Sequence, residues 1–213
     1  HRIQDGRRFS TSRVRHMQDG EAIFTSSNSF QKREKGVNHQ ISMPDTPGPE
    51  GLLNEWQHRE KISHKVDKKY LPVFLREREI EMRPVEPQDF LNPQKAPPYK
   101  NTWMKPDGVM PKDEKIHQAL LLYASDMGLI GTATNPHGLN FMSPYLQSAS
   151  LDHATWFHSK LDFSDWLLHS IDSPISGNAR GFSRGSIYNK KGKLVASCVQ
   201  EGLIRVWDTP KPK

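Results

Sequence analysis

The chain has 213 residues, of which 34% are hydrophobic, and a formal net charge of +6. This length allows one large or two small domains, and five Trp and nine Phe argue against disorder throughout. The single cysteine, Cys198, excludes an intrachain disulfide and a zinc site built from cysteines. No run of residues approaches the roughly 20 apolar residues of a membrane-spanning helix. The basic residues are scattered among 24 acidic ones, a pattern typical of a solvated surface but also compatible with a polyphosphate ligand.

The N-terminal segment predicts a β-hairpin. Residues 7–31 contain two runs of β-forming residues on either side of "QDGE", in which Asp-Gly is a tight-turn signal. The chain begins at His1, without Met, inside an apparent strand, so we expect it to be a piece of a longer protein. Residues 33–60 are polar and Pro-rich, as in a linker, with a short helix at "EGLLNEWQHREKI".

A helix is predicted from about residue 112 to 128, with Asp113 as its cap. Four apolar residues recur in it at helical spacing, namely Ile116, Leu120, Tyr123 and Met127. Apolar residues on its other faces predict that the helix is enclosed by the rest of the domain. Asp126 lies within this apolar stretch, and burying a lone carboxylate is costly unless the group is paired or used.

The remaining segments predict strands. Two precede the helix, "REIEMRPVEP" and "PPYKNTWMKPDG", and four extended segments follow it: "SASLDHATWFH", "DWLLHSIDS", "ARGFSRGSIYN" and "KLVASCVQEGLIRV". "NKKGK" predicts the hairpin turn between the last two. Strands, one buried helix and then long antiparallel strands indicate an α+β domain in which an antiparallel sheet wraps around a central helix, which is the hotdog fold.

Four motifs occur in a specific order: "YASD" at 123–126, "LDHATWFH" at 151–158, "ARGFSRG" at 179–185 and "VQEGLIR" at 199–205. Together they resemble the acyl-CoA thioesterase II family, which includes bacterial thioesterase II enzymes and peroxisomal acyl-CoA thioesterases. "DGRRFSTSRV" and "AIFTSSNSFQ" resemble the end of that family's first hotdog domain, and "HQISMP" its exit into the linker. The resemblance covers nearly the whole chain and is weakest over residues 50–110.

This resemblance implies a double-hotdog protein that hydrolyses acyl-CoA to free fatty acid and coenzyme A. It divides the chain into the last strands of a first hotdog at 1–32, a linker with a short helix at 33–78, a complete second, catalytic hotdog at 79–207 and a polar tail at 208–213. It also implies a catalytic network of three residues, namely Asp126 on the second domain's helix, Ser150 before the "DH" motif and Gln200 in "QEG". The family often has Thr at the position of Ser150, and Ser keeps the hydroxyl group.

These three side chains suit hydrolysis by water. A carboxylate can take a proton from water if desolvation raises its pKa, and an amide and a hydroxyl can hold that water in one pose. No Ser-His-Asp or Cys-His motif is evident, so we expect direct hydrolysis without a covalent acyl-enzyme. Each residue also has a simpler interpretation: Asp126 paired with an arginine at a helix end, Ser150 merely polar, and Gln200 facing outward from its strand.

Other ligands are less well supported. His153 and His158 lie five residues apart on an apparent strand, so their side chains point to opposite faces and a metal site is not expected. "ARGFSRG" lacks the strand–loop–helix context of a phosphate loop, although Arg180 or Arg184 could either meet coenzyme A phosphates or form surface salt bridges. Aromatic and basic residues near "RRFSTSRVRH" could indicate nucleic acid, but a domain fragment explains them better.

The expected partners follow from this interpretation. We expect an acyl-CoA substrate, no cofactor, no nucleic acid, no membrane span, and homo-oligomers formed through hotdog sheets. We expect a cytoplasmic location, with the peroxisomal matrix as the alternative, although the final "KPK" is not the peroxisomal "SKL" signal. A non-catalytic acyl-CoA-binding or assembly module on a hotdog scaffold is the main alternative function. A hotdog hydratase is disfavoured because no Asp-His pair of that type is evident.

Overall fold

The computed structural model describes residues 2–210, which form two compact units that meet in sequence between Gln40 and Ile41. His1 and residues 211–213 of the predicted polar tail lie outside the described residues. None of the helices within residues 2–210 combines the length and the apolar character needed to cross a membrane.

The first unit contains a three-stranded antiparallel sheet in the order β1–β2–β3. Its strands are β1 (Arg2–Asp5), β2 (Phe9–Gln18) and β3 (Glu21–Gln31). The turn between β2 and β3 consists of Asp19 and Gly20, whose φ angles of 51° and 85° are both left-handed. Two successive left-handed residues form the tight turn that Asp-Gly favours, so the predicted hairpin is confirmed.

The second unit is built on a seven-stranded antiparallel sheet in which the strand order is β4–β5–β8–β9–β10–β6 and β7 also pairs with β10. Its strands are β4 (Ile80–Pro84), β5 (Tyr99–Pro106), β6 (Leu146–Ser150), β7 (Ala154–Phe157), β8 (Leu167–Gly177), β9 (Arg180–Asn189) and β10 (Leu194–Val206). Its α-helices are α1 (Glu55–Ile62), α2 (Leu71–Phe74), α3 (Glu114–Ser125) and α4 (Leu129–Thr134), with 3₁₀ turns at Ser63–Lys65, Lys68–Tyr70 and Asn135–His137. The predicted order of strands around one main helix is confirmed.

Helix α3 lies against the main hydrophobic core, but the prediction that it is enclosed is wrong. Tyr123 is 53% exposed and Ile116 is 47% exposed, whereas Leu121 and Ala124 are fully buried. The buried stripe of α3 is His117, Leu121, Ala124 and Ser125, which is displaced by one residue from the predicted stripe. The core that receives this stripe includes Ile80, Met82, Met104, Phe163, Leu167 and Ile187.

The first buried residue of α3 is polar, His117, and it can be buried because both of its ring nitrogens form hydrogen bonds. The Phe163 N–H donates to His117 Nδ1 at 2.9 Å, and His117 Nε2 lies 2.7 Å from the Pro111 carbonyl oxygen. Since Nδ1 accepts, Nε2 carries the proton and donates to Pro111. Both ring nitrogens are therefore paired, which removes most of the cost of burying the imidazole.

The opposite face of the sheet is covered by part of the segment that the sequence predicts as a linker. Four large side chains of this face pack against Met43 and Leu52, namely Trp103, Trp166, Leu168 and Tyr188. The Trp103 indole N–H donates to the Pro47 carbonyl at 2.9 Å. The Pro-rich segment after residue 40 therefore forms a structural layer over the sheet.

The extended segment that the sequence predicts at 148–158 forms two strands, β6 and β7, so that prediction is confirmed for both halves and wrong for residues 151–153 between them. Both strands pair with β10, but the chain leaves the ladder between them. Leu151 N–H donates to the Glu201 carbonyl at 3.0 Å, and Glu201 N–H donates to Asp152 Oδ1 at 2.7 Å. A side-chain acceptor thus replaces a ladder hydrogen bond and holds the break against β10.

Helix α4 packs directly on β8, β9 and β10 because glycines remove the side chains beneath it. Gly181 of β9 and Gly202 of β10 are cross-strand partners. An added Cβ would lie 2.6 Å from Ala133 Cβ at Gly181, and 2.7 Å from Ile130 Cγ1 at Gly202. These glycines of "ARGFSRG" and "QEG" therefore let a helix approach the sheet closely.

Candidate active site

A cleft with a volume of about 500 Å³ lies where α3 ends and α4 begins. Its lining includes all three residues that the family resemblance implicates, Asp126, Ser150 and Gln200. The fold therefore brings together side chains from a helix end and from two strands that are neighbours in the sheet. Their individual contacts differ.

Asp126 is the first residue after α3 and lies at the turn into α4. Gly128 makes this turn possible because its φ of 94° is left-handed, and an added Cβ there would also lie 3.2 Å from Ile171 Cδ1. The side chain of Asp126 is exposed at the cleft, so the prediction that it is buried is wrong. The physical reason is its position beyond the last helical residue, where the buried stripe of α3 has ended.

Gln200 faces the helices and not the solvent. Its exposure is 2%, and the alternation along β10 places it on the same buried face as Cys198 and Gly202. Gln200 Nε2 donates a hydrogen bond to Asp126 Oδ1. An ionised carboxylate can only accept, which fixes the amide nitrogen toward Asp126. The alternative of an outward-facing glutamine is therefore excluded.

The carbonyl end of this amide is unpaired. Gln200 Oε1 is buried and has no hydrogen-bond partner within residues 2–210. A buried acceptor without a partner costs about 1–3 kcal/mol, and such groups in folded proteins call for an explanation, such as a functional role. The Asp126–Gln200 pair thus combines a carboxylate open to the cleft with an unsatisfied acceptor beside it.

Ser150 ends β6 opposite Gly202 of β10 and is exposed. Among the described residues, no hydrogen bond joins its side chain to Asp126 or to Gln200. The structure therefore joins two of the three implicated residues directly and places the third in the lining of the same cleft.

Cys198 has the environment of an inert thiol. It is 1% exposed, and its Sγ lies 3.5 Å from Nε2 of His169, which is completely buried. Burial raises the pKa of Cys198 to about 12 and lowers the pKa of His169 to about 3. Both groups are therefore neutral near pH 7, and the pair lacks the thiolate that a cysteine nucleophile requires.

The carboxylates on the cleft wall are engaged in hydrogen bonds. Glu86 accepts two hydrogen bonds from Asn101, one from its backbone N–H at 2.9 Å and one from Nδ2 at 3.0 Å. Glu55 pairs with Arg59 at 2.5 Å, and Asp89 accepts from backbone N–H groups of the following turn. Glu55 is thereby paired with a cation, whereas the partners of Glu86 and Asp89 are neutral donors.

Two cations of the same wall have no such partner. Arg78, just before β4, and Lys100, on β5, line the cleft and form no ion pair within residues 2–210. His58 also lines the cleft, but burial lowers its pKa and favours the neutral ring. The sequence alone does not identify Arg78 and Lys100 as cleft residues. Both lie in the segment where the family resemblance is weakest, and only the fold brings them to one cleft.

The two arginines considered from the sequence lie elsewhere. Arg184 forms a bidentate salt bridge with Asp172, with N–O distances of 2.5 and 3.2 Å. Arg180 donates a hydrogen bond to Glu201 at 3.3 Å. Neither lines the cleft. Their salt-bridge interpretation is therefore the one that the structure supports.

The two histidines of "DHATWFH" have separate partners. His153 Nε2 lies 2.8 Å from Ser125 Oγ of α3, whereas His158 Nε2 lies 2.9 Å from Ser197 Oγ of β10. Within residues 2–210 there is no group of three or more His, Cys, Asp or Glu side chains that could hold a metal ion.

Comparison with known proteins agrees with this architecture. Residues 72–203 match the family described as acyl-CoA thioesterase. The chain is 36% identical over 203 residues to acyl-CoA thioesterase 2 of Haemophilus influenzae, covering 95% of this chain and 71% of that protein. The chain spans 66–71% of the length of the curated relatives that it matches.

Solved structures support the same assignment and confirm the fold. The structure of an acyl-CoA thioesterase II from Mycobacterium marinum superposes with a TM-score of 0.77 at 34% identity, covering 98% of this chain and 73% of that chain. A hotdog-fold protein of unknown function from Alicyclobacillus acidocaldarius gives a TM-score of 0.70 at 17% identity, over 96% of this chain and 70% of that chain, which supports the fold alone. The predicted α+β hotdog fold is therefore confirmed, and the chain belongs to the acyl-CoA thioesterase family of thioester hydrolases.

Proposed function

We propose that this protein hydrolyses acyl-CoA thioesters to free fatty acid and coenzyme A by direct attack of water, without a covalent acyl-enzyme. The observation that carries the proposal is the hydrogen bond from Gln200 to the carboxylate of Asp126 at the edge of a cleft. One carboxylate oxygen is held by this bond. The other forms no hydrogen bond within the described residues and is available to a water molecule.

In this mechanism Asp126 acts as the general base. Its carboxylate accepts a proton as the water oxygen bonds to the acyl carbon. The tetrahedral intermediate then collapses, the carbon–sulfur bond breaks, and the proton passes to the departing thiolate of coenzyme A. Gln200 holds the carboxylate in place through its Nε2 hydrogen bond, and we assign the Ser150 hydroxyl as a polar contact of the water because it lines the same cleft.

The composition of the cleft suits a substrate with an apolar tail and an anionic head. Its apolar lining includes Phe90, Ile130, Phe141 and Leu146. Arg78 and Lys100 are cations of this wall that form no ion pair within residues 2–210, although four carboxylates also line the cleft, those of Glu55, Glu86, Asp89 and Asp126. An acyl chain is stabilised when it is buried against apolar side chains, and the phosphates of coenzyme A are stabilised by hydrogen bonds from arginine and lysine.

The test of the function is a time course of coenzyme A release from a long-chain acyl-CoA by the purified protein. We expect steady turnover without an initial burst, because no acyl-enzyme accumulates. A burst equal to the enzyme concentration would contradict direct hydrolysis. Tight acyl-CoA binding without turnover would instead favour the non-catalytic binding module.

The double substitution Arg78→Gln and Lys100→Gln should raise KM for acyl-CoA about tenfold with little change in kcat, because about 1.4 kcal/mol of phosphate binding is lost. The measurement compares acyl-CoA with the same acyl group on N-acetylcysteamine, a thioester without phosphates. The effect should be absent with the second substrate. Arg184→Gln is the matched control, since its guanidinium already pairs with Asp172. An equal rise in KM for both substrates would exclude phosphate binding by these two cations.

Two further predictions rest on the family resemblance. We propose assembly into homo-oligomers through hotdog sheets and a cytoplasmic location, with the peroxisomal matrix as the alternative. The boundaries of the first-domain strands, linker and second domain likewise stay predictions.

A further inference from the structure

We infer that Asp152 and His153, the "DH" pair in the break between β6 and β7, are positioning residues that hold Gln200 and Asp126 in register with each other. This inference rests on the proposed function, because such positioning matters for catalysis only if that pair acts on the substrate. Each of the two residues binds the immediate chain neighbour of one member of the Asp126–Gln200 pair.

Asp152 fixes the strand that carries Gln200. Its Oδ1 accepts the backbone N–H of Glu201 at 2.7 Å, one residue after Gln200. The Glu201 carbonyl in turn accepts the N–H of Leu151 at 3.0 Å and of Asp152 at 3.4 Å. Glu201 is therefore held on both its donor and its acceptor, and the backbone beside Gln200 has little freedom to slide along the sheet.

His153 fixes the helix end that carries Asp126. Its Nε2 lies 2.8 Å from Ser125 Oγ and 3.0 Å from Thr155 Oγ1, and Ser125 is completely buried. Ser125 Oγ donates its own proton to the Leu122 carbonyl at 2.9 Å. It must then accept from the ring, so Nε2 carries the proton and donates to Ser125.

The second ring nitrogen agrees with this assignment. Nδ1 of His153 is buried and has no partner within residues 2–210. A buried ring nitrogen without a partner costs less as an unprotonated acceptor than as an N–H donor. Protonating Nδ1 would also place a positive charge in a buried position. Burial accordingly lowers the pKa of His153, although the nearby carboxylates of Asp126 and Asp152 oppose this shift. The ring is a neutral donor.

Consecutive residues therefore tie together two elements that are far apart in the sequence, β10 and the end of α3. This explains why the chain leaves the β-ladder at this point. Between Ser150 and Ala154 this segment has three residues where β10 has two between Val199 and Gly202. One extra residue opposite a regular strand is a bulge, which changes the direction in which the side chains point. The break lets one side chain reach the edge of β10 and the next reach α3.

The experiment compares removal and conservative replacement of each contact. His153→Leu and Asp152→Ala should each lower kcat for acyl-CoA by about 10- to 100-fold, since small misplacements of catalytic groups have effects of this size, and leave KM within about twofold. His153→Gln keeps a donor near the position of Nε2, and Asp152→Asn keeps an acceptor. Both should retain most of kcat. His158→Leu is the matched control, because His158 flanks the same strand but binds Ser197.

A second measurement does not depend on turnover. The side-chain amide resonances of Gln200, assigned by their loss in Gln200→Ala, report its hydrogen bond to Asp126. They should shift in His153→Leu and Asp152→Ala and stay in place in His158→Leu. If the wild-type protein hydrolyses no acyl-CoA, the proposed function fails, whereas these resonances still test the positioning.

Two results would overturn the inference. One is unchanged kcat and unmoved Gln200 resonances in both removal variants. The other is an equal loss of kcat in the removal and conservative variants, which would indicate a general packing role. Should His153→Leu fail to fold, Ser125→Ala removes the same hydrogen bond and carries the same expected loss of kcat and the same amide shift.

Discussion

Replacing Asp126 by Asn should lower kcat for acyl-CoA hydrolysis by about 10²–10⁴-fold, the range typical for loss of a general base. Asn has the same shape, and its carbonyl oxygen can still accept the hydrogen bond from Gln200 Nε2. The substitution therefore keeps the geometry and removes only the basicity. KM should stay within about twofold, because the substituted group acts on water and not on the bound substrate. Steady-state release of coenzyme A measures both constants.

Asp45→Asn is the control for this substitution, since Asp45 is an exposed carboxylate that does not line the cleft. It should leave both constants unchanged. Activity that survives Asp126→Asn at the wild-type level would remove Asp126 from the mechanism. A higher KM with unchanged kcat would assign the carboxylate to substrate binding instead. A loss of kcat therefore identifies Asp126 as a base, and a rise in KM alone identifies it as a substrate-binding group.

The family resemblance predicts Asp126, Ser150 and Gln200 as one network. The fold joins Asp126 and Gln200 by a hydrogen bond, while Ser150 lines the same cleft without a bond to either. Exposure could not be predicted in the same way. The apolar pattern predicts Asp126 inside the helix, but the helix ends at Ser125, and a sequence pattern does not define a helix end to the residue.

The helix stripe illustrates the same limit. Ile116 and Tyr123 fit a helical spacing as well as His117 and Leu121 do, and hydrophobicity alone favours the first pair. The structure buries the second pair because Phe163 and Pro111 satisfy the imidazole of His117. Phe163 lies 46 residues away from His117 in the chain, so a local pattern does not reveal this partner. Arg78 and Lys100 likewise cannot be identified from a local pattern, because only the fold brings them to the cleft.

The glycines beneath α4 link the fold to the site. Gly181 lets α4 lie directly on β9, and α4 begins at Leu129, immediately after Gly128 and three residues after Asp126. The position of the helix on the sheet therefore determines how far Asp126 is from Gln200 on β10. A side chain added beneath α4 should disturb stability and catalysis together.

Gly181→Ala should lower the free energy of unfolding by about 1–3 kcal/mol, the usual cost of overpacking a tight contact. The added Cβ would lie 2.6 Å from Ala133 Cβ, and neither atom belongs to a flexible side chain that could move aside. Helix α4 must therefore lift from the sheet. We expect kcat to fall about tenfold, since the Asp126–Gln200 contact shifts with the helix. Urea unfolding and coenzyme A release measure the two effects.

Gly177→Ala is the matched control, because Gly177 lies on the adjacent strand β8 and an added Cβ there would meet nothing within 4 Å. Its unfolding free energy should stay within about 0.5 kcal/mol of the wild-type value. If both variants were equally stable and equally active, close approach of α4 would not be what requires glycine at position 181. Loss of stability without loss of kcat would show that the Asp126–Gln200 contact is held independently of α4, and the turn at Gly128 would then have to absorb the displacement.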